Sequence, residues 1–531
     1  MGMSKELDYL SRKVALGHLS RRDFLGRAAA LGVTTVFANS LLSSAALAEG
    51  PVKGGTLKAG MTGGASTDSL DPASWQSQVP YKFGRQWGEQ LVEIQPDGKL
   101  EPKLAEEWGS SDDAKIWTFK IRKGVQFHDG KEMTPDDVVA TMERHSDANS
   151  KSGALGIMGG IANVKKDGDT VVFTLKEANA DLPFLMDDYH LMIQPNGGKD
   201  KPAAGIGTGP YKVVTEEPGV RHIGEKFANY WNGDKRGHAD QIEIIVINDS
   251  TARTAALQSG QVHMINRVEP KIVDLVKRVP GVTIQNVAGK GHYVFIAHCN
   301  TAPFDNNDLR LALKYAMNRE EMVKTILRGY GSIGNDFPIN KAYPLFSDDV
   351  EQRTYDPDKA AFHFKKSGHD GPVLLRTSDV AFPGAVDAAQ LYQQSAAKAG
   401  IQIEVKREPG DGYFTEVWNK QPFSTSYWGG RPTQDQMYST AYLSTADWND
   451  TKFFNEKFDK MLITARGELD EAKRKQMYRD MAMIVRDEGG VIVPMFNDFI
   501  DATSAKVGGW VPDGNQEMSG GYALSRCWLN A

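Results

Sequence analysis

The sequence predicts a two-lobed protein of mixed α/β class, with mixed sheets and an extra domain inserted in one lobe. Three observations lead there. The chain has 531 residues, of which 40% are hydrophobic and 24% charged, enough for about two to four packed domains. The first half mixes strand-like and helix-like stretches without strict βα alternation, whereas residues 306–485 are rich in helical periodicity. After Val491 the pattern returns to Gly-rich, strand-like sequence. A chain that leaves one lobe, builds a second and comes back crosses between them more than once, and such lobes hinge over a ligand.

The elements follow in order. Residues 1–48 are set aside as an export signal. A basic region (Arg12, Lys13, Arg21, Arg22, Arg27) runs into an apolar stretch from Ala28 to Ala38 and ends in Ala46-Leu47-Ala48, the pattern of a signal with cleavage after about Ala48. Ser20-Arg21-Arg22-Asp23-Phe24-Leu25 resembles the twin-arginine export motif. The apolar stretch falls short of the about 20 residues a membrane span needs, and no cysteine follows the cleavage site to carry a lipid. Residues 54–62 then read as a first strand. Trp117, Phe119 and Ile121 alternate with polar residues as in a half-buried strand. Ala162–Lys166 and Thr170–Lys176 flank Asp167-Gly168, a hairpin signal. Gln241–Ile247 is a strand and Ser250–Ser259 a helix. Apolar residues recur at helical spacing over 309–327, 458–465 and 477–485, with a strand at Pro372–Thr377, a helix at Val386–Ala399 and a strand at Ile401–Lys406 between them.

Composition and motifs exclude several functions. A net charge of −6 lacks the basic field that holds nucleic acid. The two cysteines, Cys299 and Cys527, cannot make a zinc site alone; they pair or stay free. There is no H-E-x-x-H and no Walker A sequence. Around Ser332, Tyr330 occupies the first Gly position of a nucleophile elbow. Gly205–Pro210 reads as a tight turn rather than a phosphate cradle, because Pro210 removes a backbone donor. His292 and His298 flank a strand without metal-ligand spacing. No cofactor is implied and no catalytic residue is assigned; a periplasmic hydrolase on the same fold remains the alternative.

A long series of motifs carries a resemblance. Ala105-Glu106-Glu107-Trp108, Trp117-Thr118-Phe119, Ile121-Arg122-Lys123-Gly124-Val125, Phe127-His128-Asp129-Gly130 and Thr134-Pro135-Asp136-Asp137-Val138 come first. Gly207-Thr208-Gly209-Pro210-Tyr211, Asn229-Tyr230-Trp231, Leu257-Gln258-Ser259-Gly260, Arg310-Leu311-Ala312-Leu313 and Tyr355-Asp356-Pro357-Asp358 follow. Together they resemble the extracellular solute-binding proteins of family 5, the dipeptide- and oligopeptide-binding components of ABC importers. Most of these residues read structurally too: Gly130 suits a turn position with φ > 0, and Thr134 with Pro135 opens a helix.

The resemblance implies a periplasmic-binding-protein (Venus flytrap) fold. It divides the mature chain into residues 49–92, 212–299 and 490–531 as one domain, residues 93–211 as an inserted subdomain, and residues 300–489 as the second lobe. It implies a monomeric, non-enzymatic protein that captures a peptide-like or other small solute, or an oligosaccharide, and delivers it to an inner-membrane permease with its ATPase subunits. Peptide-binding relatives carry a W-x-x-D segment whose Asp meets the peptide ammonium group. Here Trp428-Gly429-Gly430-Arg431 stands at that place, followed by Pro432 and Thr433. Arg431 repels an ammonium and forks onto carboxylate or phosphate oxygens, which favours an anionic solute: opine-like, amino-acid-derived or a sugar phosphate. Arg431 otherwise pairs internally, and Trp428 is a flat wall or core. The resemblance implies ligand roles for Gly430 and Thr433 in the same segment. It implies them also for Ser66, Thr67 and Asp68, after the small residues Gly63 and Gly64 that let a ligand approach the backbone; Asp68 otherwise belongs to a solvated turn.

Overall fold

The computed structural model describes residues 50–530 apart from 76–77, 148–149, 151 and 411–412. The export signal, residues 1–48, lies outside the described residues.

One eleven-stranded mixed sheet runs through the molecule. From one edge its strands are Ile403–Arg407, Val373–Thr377, Phe423–Trp428, Val282–Ala297, Val491–Ser504, Met264–Ile265, Thr56–Met61, Gln241–Val246, Arg221–Lys226 and Tyr211–Glu217, with Gly331–Ile333 added alongside Val491–Ser504. The half around Thr56–Met61 is the first lobe; the half around Val373–Thr377 is the second. Val282–Ala297 and Val491–Ser504 are long enough to serve both. Their antiparallel pairing is regular from Val282 to Ala288, breaks, and resumes at His292. Two glycines lie in the break. A Cβ on Gly289 would fall 2.7 Å from the Phe499 ring, and one on Gly291 3.0 Å from Asn497. The crossing read from the return of strand-like sequence after Val491 is therefore made by these two strands.

A separate four-stranded antiparallel sheet holds Ala105–Ser110, Ile116–Ile121, Thr170–Leu175 and Ile161–Asp167. Its alternation is strict: Trp117, Phe119 and Ile121 are buried, as are Val171, Phe173 and Leu175, and all enter one core, the period-2 pattern of a sheet with one wet face. Helix Pro135–Ser146 covers it. The Asp137 carboxylate reaches back to the Thr134 backbone N–H at 2.9 Å and its hydroxyl at 2.8 Å, and Pro135 takes the first turn, where its missing N–H costs nothing.

The second lobe is built from helices on the sheet. Leu309, Ala312, Leu313 and Met322 pack with Val373, Leu375, Ala389 and Tyr392. Helix Pro357–Ser367 shows why its sequence starts and stops there. Asp356 accepts from Lys359 N at 2.9 Å, Pro357 follows, and Gly368 ends it at φ 73°. The Gly205–Pro210 segment is a close approach. A Cβ on Gly207 would meet the Trp87 carbonyl at 2.4 Å and one on Gly209 the Gln86 carbonyl at 2.7 Å. Both cysteines are free thiols: Cys527 sits in the first-lobe core and Cys299 against the second-lobe core. Among the described residues no helix is long and apolar enough to cross a membrane, and no cluster of His, Cys, Asp or Glu is arranged for a metal ion.

Candidate functional site

Of the residues the sequence nominated, Arg431 stands at the junction between the lobes. Its backbone N–H donates to the Tyr343 hydroxyl at 3.1 Å, and its Nη1 turns back to the carbonyls of Gly429 (3.1 Å) and Gly430 (3.3 Å). No carboxylate lies within ion-pair distance of it among the described residues. Its field nonetheless reaches the inserted subdomain. Burial pushes the Asp188 carboxyl up, but His190, bonded to it at 2.7 Å, and then Arg431 bring it below its ordinary value. The Tyr189 hydroxyl, pushed up to about 12 by burial and Asp188, also feels Arg431 and Tyr427. The charge of Arg431 thus acts on Asp188 and Tyr189 of the inserted subdomain.

Three neighbours of Arg431 are tied into the second lobe. Trp428 is only 4% exposed; its indole N–H donates to Asp450 at 3.0 Å, and the Arg431 guanidinium lies 5.8 Å from its ring. It takes the second of its two sequence readings and packs as core beside Arg431. Thr433 is a helix cap, accepting from Gln436 N at 3.2 Å at the start of helix Gln434–Ala441. Gly430 permits close approach to the crossing strand, since a Cβ there would fall 2.2 Å from the Lys290 Cβ.

The first-lobe segment is also more occupied than expected. Gly63 N donates to Asn248 Oδ1 at 3.0 Å, the Gly64 carbonyl accepts from Asn248 Nδ2 at 3.0 Å, and the Gly63 carbonyl accepts from Val79 N at 2.9 Å. These three backbone groups of Gly63 and Gly64 are thus taken internally. Ser66 and Thr67 are exposed. Ser66 lies against the turn at Gly219, whose Cβ would sit 2.8 Å from Ser66 N. Asp68 accepts from Ala65 N at 2.8 Å and closes its own turn. Ser66, Thr67 and Asp68 gather on the first lobe; Trp428, Gly430, Arg431 and Thr433 gather on the second.

Tyrosines stack on both lobes. On the second lobe, Tyr293 and Tyr427 are paired neighbours on adjacent strands, and Tyr293 stacks on Phe382 at 4.3 Å. Tyr427 is 47% exposed at the end of its strand. On the first lobe, Tyr81 stacks on Tyr189 at 4.5 Å. Burial raises the Tyr293 hydroxyl above its ordinary value, and Arg267, Glu517 and Tyr427 all act on it. Arg267 and Glu517, which pair with each other, belong to the first lobe. Sequence reasoning missed Arg267, Glu517 and these tyrosines. No motif marks them, and aromatic residues at strand spacing read as core.

Two lobes joined by two long strands, with tyrosines and an arginine near their junction, form a two-lobed α/β architecture. The family model of the bacterial extracellular solute-binding proteins, family 5, matches residues 99–450, and the chain belongs to that family. The dipeptide-binding protein of Escherichia coli K12 is 26% identical over 455 residues, covering 78% of this chain and 84% of that one. Heme-binding protein A of Haemophilus influenzae is 28% identical over 456 residues, 78% of this chain and 82% of that one. Among solved structures, the agropinic-acid complex of AgaA from A. tumefaciens R10 superposes with a TM-score of 0.77 at 23% identity, over 90% of this chain and 99% of the other.

Proposed function

We propose that the mature protein is the periplasmic solute-binding component of an ABC importer, and that its solute is a small anion. The importer role is supported by the family, and by relatives that bind a dipeptide or heme. Fold does not choose among such ligands, so the class is argued from this chain. The observation that carries it is Arg431. Among the described residues its guanidinium donates only to main-chain carbonyls of its own segment, with the Trp428 ring 5.8 Å away and no carboxylate paired to it. A cation so placed accepts a carboxylate or phosphate from a ligand and repels an ammonium. An opine-like or other amino-acid-derived acid fits, as does a sugar phosphate; AgaA, similar in fold, was solved with agropinic acid.

Closure is proposed to turn on the break between Ala288 and His292. Contacts that span the gap support a closed form here: Arg474 on helix Glu471–Glu488 pairs with buried Asp181 of the inserted subdomain, and Ala180 N donates to the Arg466 carbonyl at 2.7 Å. The leader directs the chain to the periplasm, and the closed form is the one the permease receives. Calorimetry of wild type and Arg431→Ala against N-carboxyalkyl amino acids, acidic dipeptides and sugar phosphates tests the reading. An acid that binds wild type and is lost about tenfold or more in the variant is expected. Tight binding of a neutral solute by both proteins overturns it.

A further inference from the structure

The first lobe holds a second arginine, prepared differently from Arg431. Arg267 follows the short strand Met264–Ile265 and adopts φ +51°, a left-handed conformation that a side chain takes only when its surroundings hold it there. The holder is Arg253, buried on helix Ser250–Gln258. It donates to the carbonyls of Asn266 (3.0 Å) and Arg267 (3.1 Å), and also to those of Ile247 (2.8 Å) and Asn248 (3.2 Å). A side chain that clamps four carbonyls around one corner fixes that corner before any ligand arrives.

The partner of Arg267 is as carefully set. Arg267 Nε donates to Glu517 Oε1 at 2.6 Å, and Asn266 Nδ2 donates to Glu517 Oε2 at 3.3 Å. Glu517 opens a left-handed turn in which Met518, Ser519, Gly520 and Gly521 all have positive φ, from 56° to 84°. The turn is pinned where Met518 N donates to buried Asp501 at 2.6 Å. Strained backbone thus stands under both members of the pair. Their side chains are unequal in exposure: Glu517 is 10% exposed and Arg267 43%. The carboxylate is spent, whereas the terminal nitrogens Nη1 and Nη2 of Arg267 have no protein hydrogen-bond partner among the described residues. The guanidinium still lies within the field of Tyr81 on its own lobe and Tyr427 on the other. It is therefore an open fork, tied down through Nε alone.

We infer that Arg267, positioned by Glu517, is the anion-binding residue of the first lobe, and that with Arg431 on the second it selects a solute carrying two separated acidic groups. This rests on the anionic reading proposed above and deepens it. One acid of the ligand accepts from Nη1 and Nη2 of Arg267, the fork geometry that suits a carboxylate or phosphate. The second acid meets Arg431. Tyr81, Tyr293 and Tyr427 take the body between, with flat apolar faces and hydroxyl ends. Two recognition points on opposite lobes also couple binding to closure, because the ligand gains its second contact only when the lobes meet.

The test uses the full mature protein and matched probes: N-(carboxymethyl)phenylalanine, each of its two monoamides, and glucose 6-phosphate as a singly phosphorylated comparison. Affinities are read by calorimetry in wild type, Arg267→Gln, Arg267→Lys and Arg431→Ala, with unliganded melting curves as the control for folding. The diacid is expected to bind wild type, and to weaken about 10- to 100-fold on amidation of either acid or in Arg267→Gln, the loss of one charge-assisted contact. Arg267→Lys keeps charge and loses the fork, and falls between. If Arg267→Gln does not fold, Arg267→Lys carries the test, and wild-type affinity in it overturns fork recognition. Unchanged diacid affinity in Arg267→Gln with loss in Arg431→Ala leaves the anionic reading standing and sinks the role of Arg267. Equal binding of diacid and monoamides, or preference for glucose 6-phosphate, overturns the two-acid class, as does failure of every probe to bind wild type.

Discussion

Around Tyr522 in the first lobe, four cations crowd one ring: Arg85 at 4.7 Å, Lys103 and Arg236 at 4.5 Å, and Arg526 at 5.0 Å. Glu93, Asp187 and Asp513 interleave them. In the second lobe, Trp428, Tyr438, Tyr442 and Tyr478 are just as buried, with Trp418 partly buried against them, but this cluster holds its polarity at ring ends. The hydroxyls of Tyr438 and Tyr442 have no protein partner, and Asp450 is shared by two indole N–H groups at 2.9 and 3.0 Å. The difference teaches where each region can be broken. The first is held by charge that must stay balanced, and losing one member leaves others buried and unpaired. The second is held by packing, and its polar atoms are tolerated rather than required.

The largest expected effect comes from unbalancing the first region. Glu93 accepts from Arg526 and Gln95 at 3.1 Å each and faces Lys103 at 3.3 Å, with Arg236 closer still. Burial opposes its charge, but Arg236, Lys103 and Arg526 hold the carboxyl well below its usual range. Glu93→Gln should cost about 3–5 kcal/mol in urea unfolding at neutral pH, the usual cost of stranding buried cations. Because the folded pKa is depressed, that stability is present above the unfolded carboxyl's pKa near ~4 and is lost as pH falls. The deficit of the variant should therefore shrink in acid. A Glu93→Gln protein as stable as wild type at pH 7 would mean the cluster is not held by balance.

A smaller effect, of opposite sign, is expected from Asp450. Burial pushes its carboxyl up to about 7, although Trp418 and Trp428 donate to it. The folded protein then keeps a proton that the unfolded chain releases from about pH 4 upward. Stability should fall as pH rises through that window and level off above about 7. Asp450→Asn retains an acceptor for both indoles and does not ionise. It should melt like wild type near pH 4.5 and higher at pH 8, by a few kcal/mol at most. Tryptophan fluorescence of wild type should titrate near neutrality and that of the variant should stay flat. A variant melting lower at pH 8 would show that the charge of Asp450 is needed.

Much of the fold was legible because its signals are local. Period-2 alternation at Trp117, Phe119 and Ile121, the Thr134-Pro135 helix start, and helical spacing around Leu309 and Tyr478 each report a single element. The crossing between lobes was legible from the return of strand pattern after Val491. Of the proposed site, the sequence offered Arg431, where a departure from the family pattern changes the charge. Trp428 and Thr433 stood beside it in sequence but point into core and into a helix cap, which depends on the strand's facing and no motif records. Gly63 and Gly64 looked like open backbone because glycine's smallness is visible, while the Asn248 side chain that fills their hydrogen bonds arrives from more than 180 residues away. Arg267 and Glu517 are 250 residues apart, and their left-handed backbones carry no glycine at Arg267, Met518 or Ser519 to announce them.

The smallest effects make the sharpest comparison, because the same atom is removed in both regions. Tyr522 and Tyr438 are each buried. The Tyr522 hydroxyl accepts from Lys103 Nζ at 3.1 Å and, closer, from Arg85. The Tyr438 hydroxyl has no protein partner. Tyr522→Phe deletes an acceptor that two buried cations use, and hydrogen bonds to charged groups contribute about 1.5–3 kcal/mol. Tyr438→Phe deletes a polar atom whose desolvation nothing in the protein offsets, and leaves the ring in place. It should be neutral, or stabilising by up to about 1 kcal/mol. Urea midpoints of the two variants, at unchanged m-value, give both numbers. Equal losses would mean that buried hydroxyls count alike in both lobes and that the contrast between balanced charge and packing is not what distinguishes them. A loss confined to Tyr522→Phe assigns the difference to the cations around one ring.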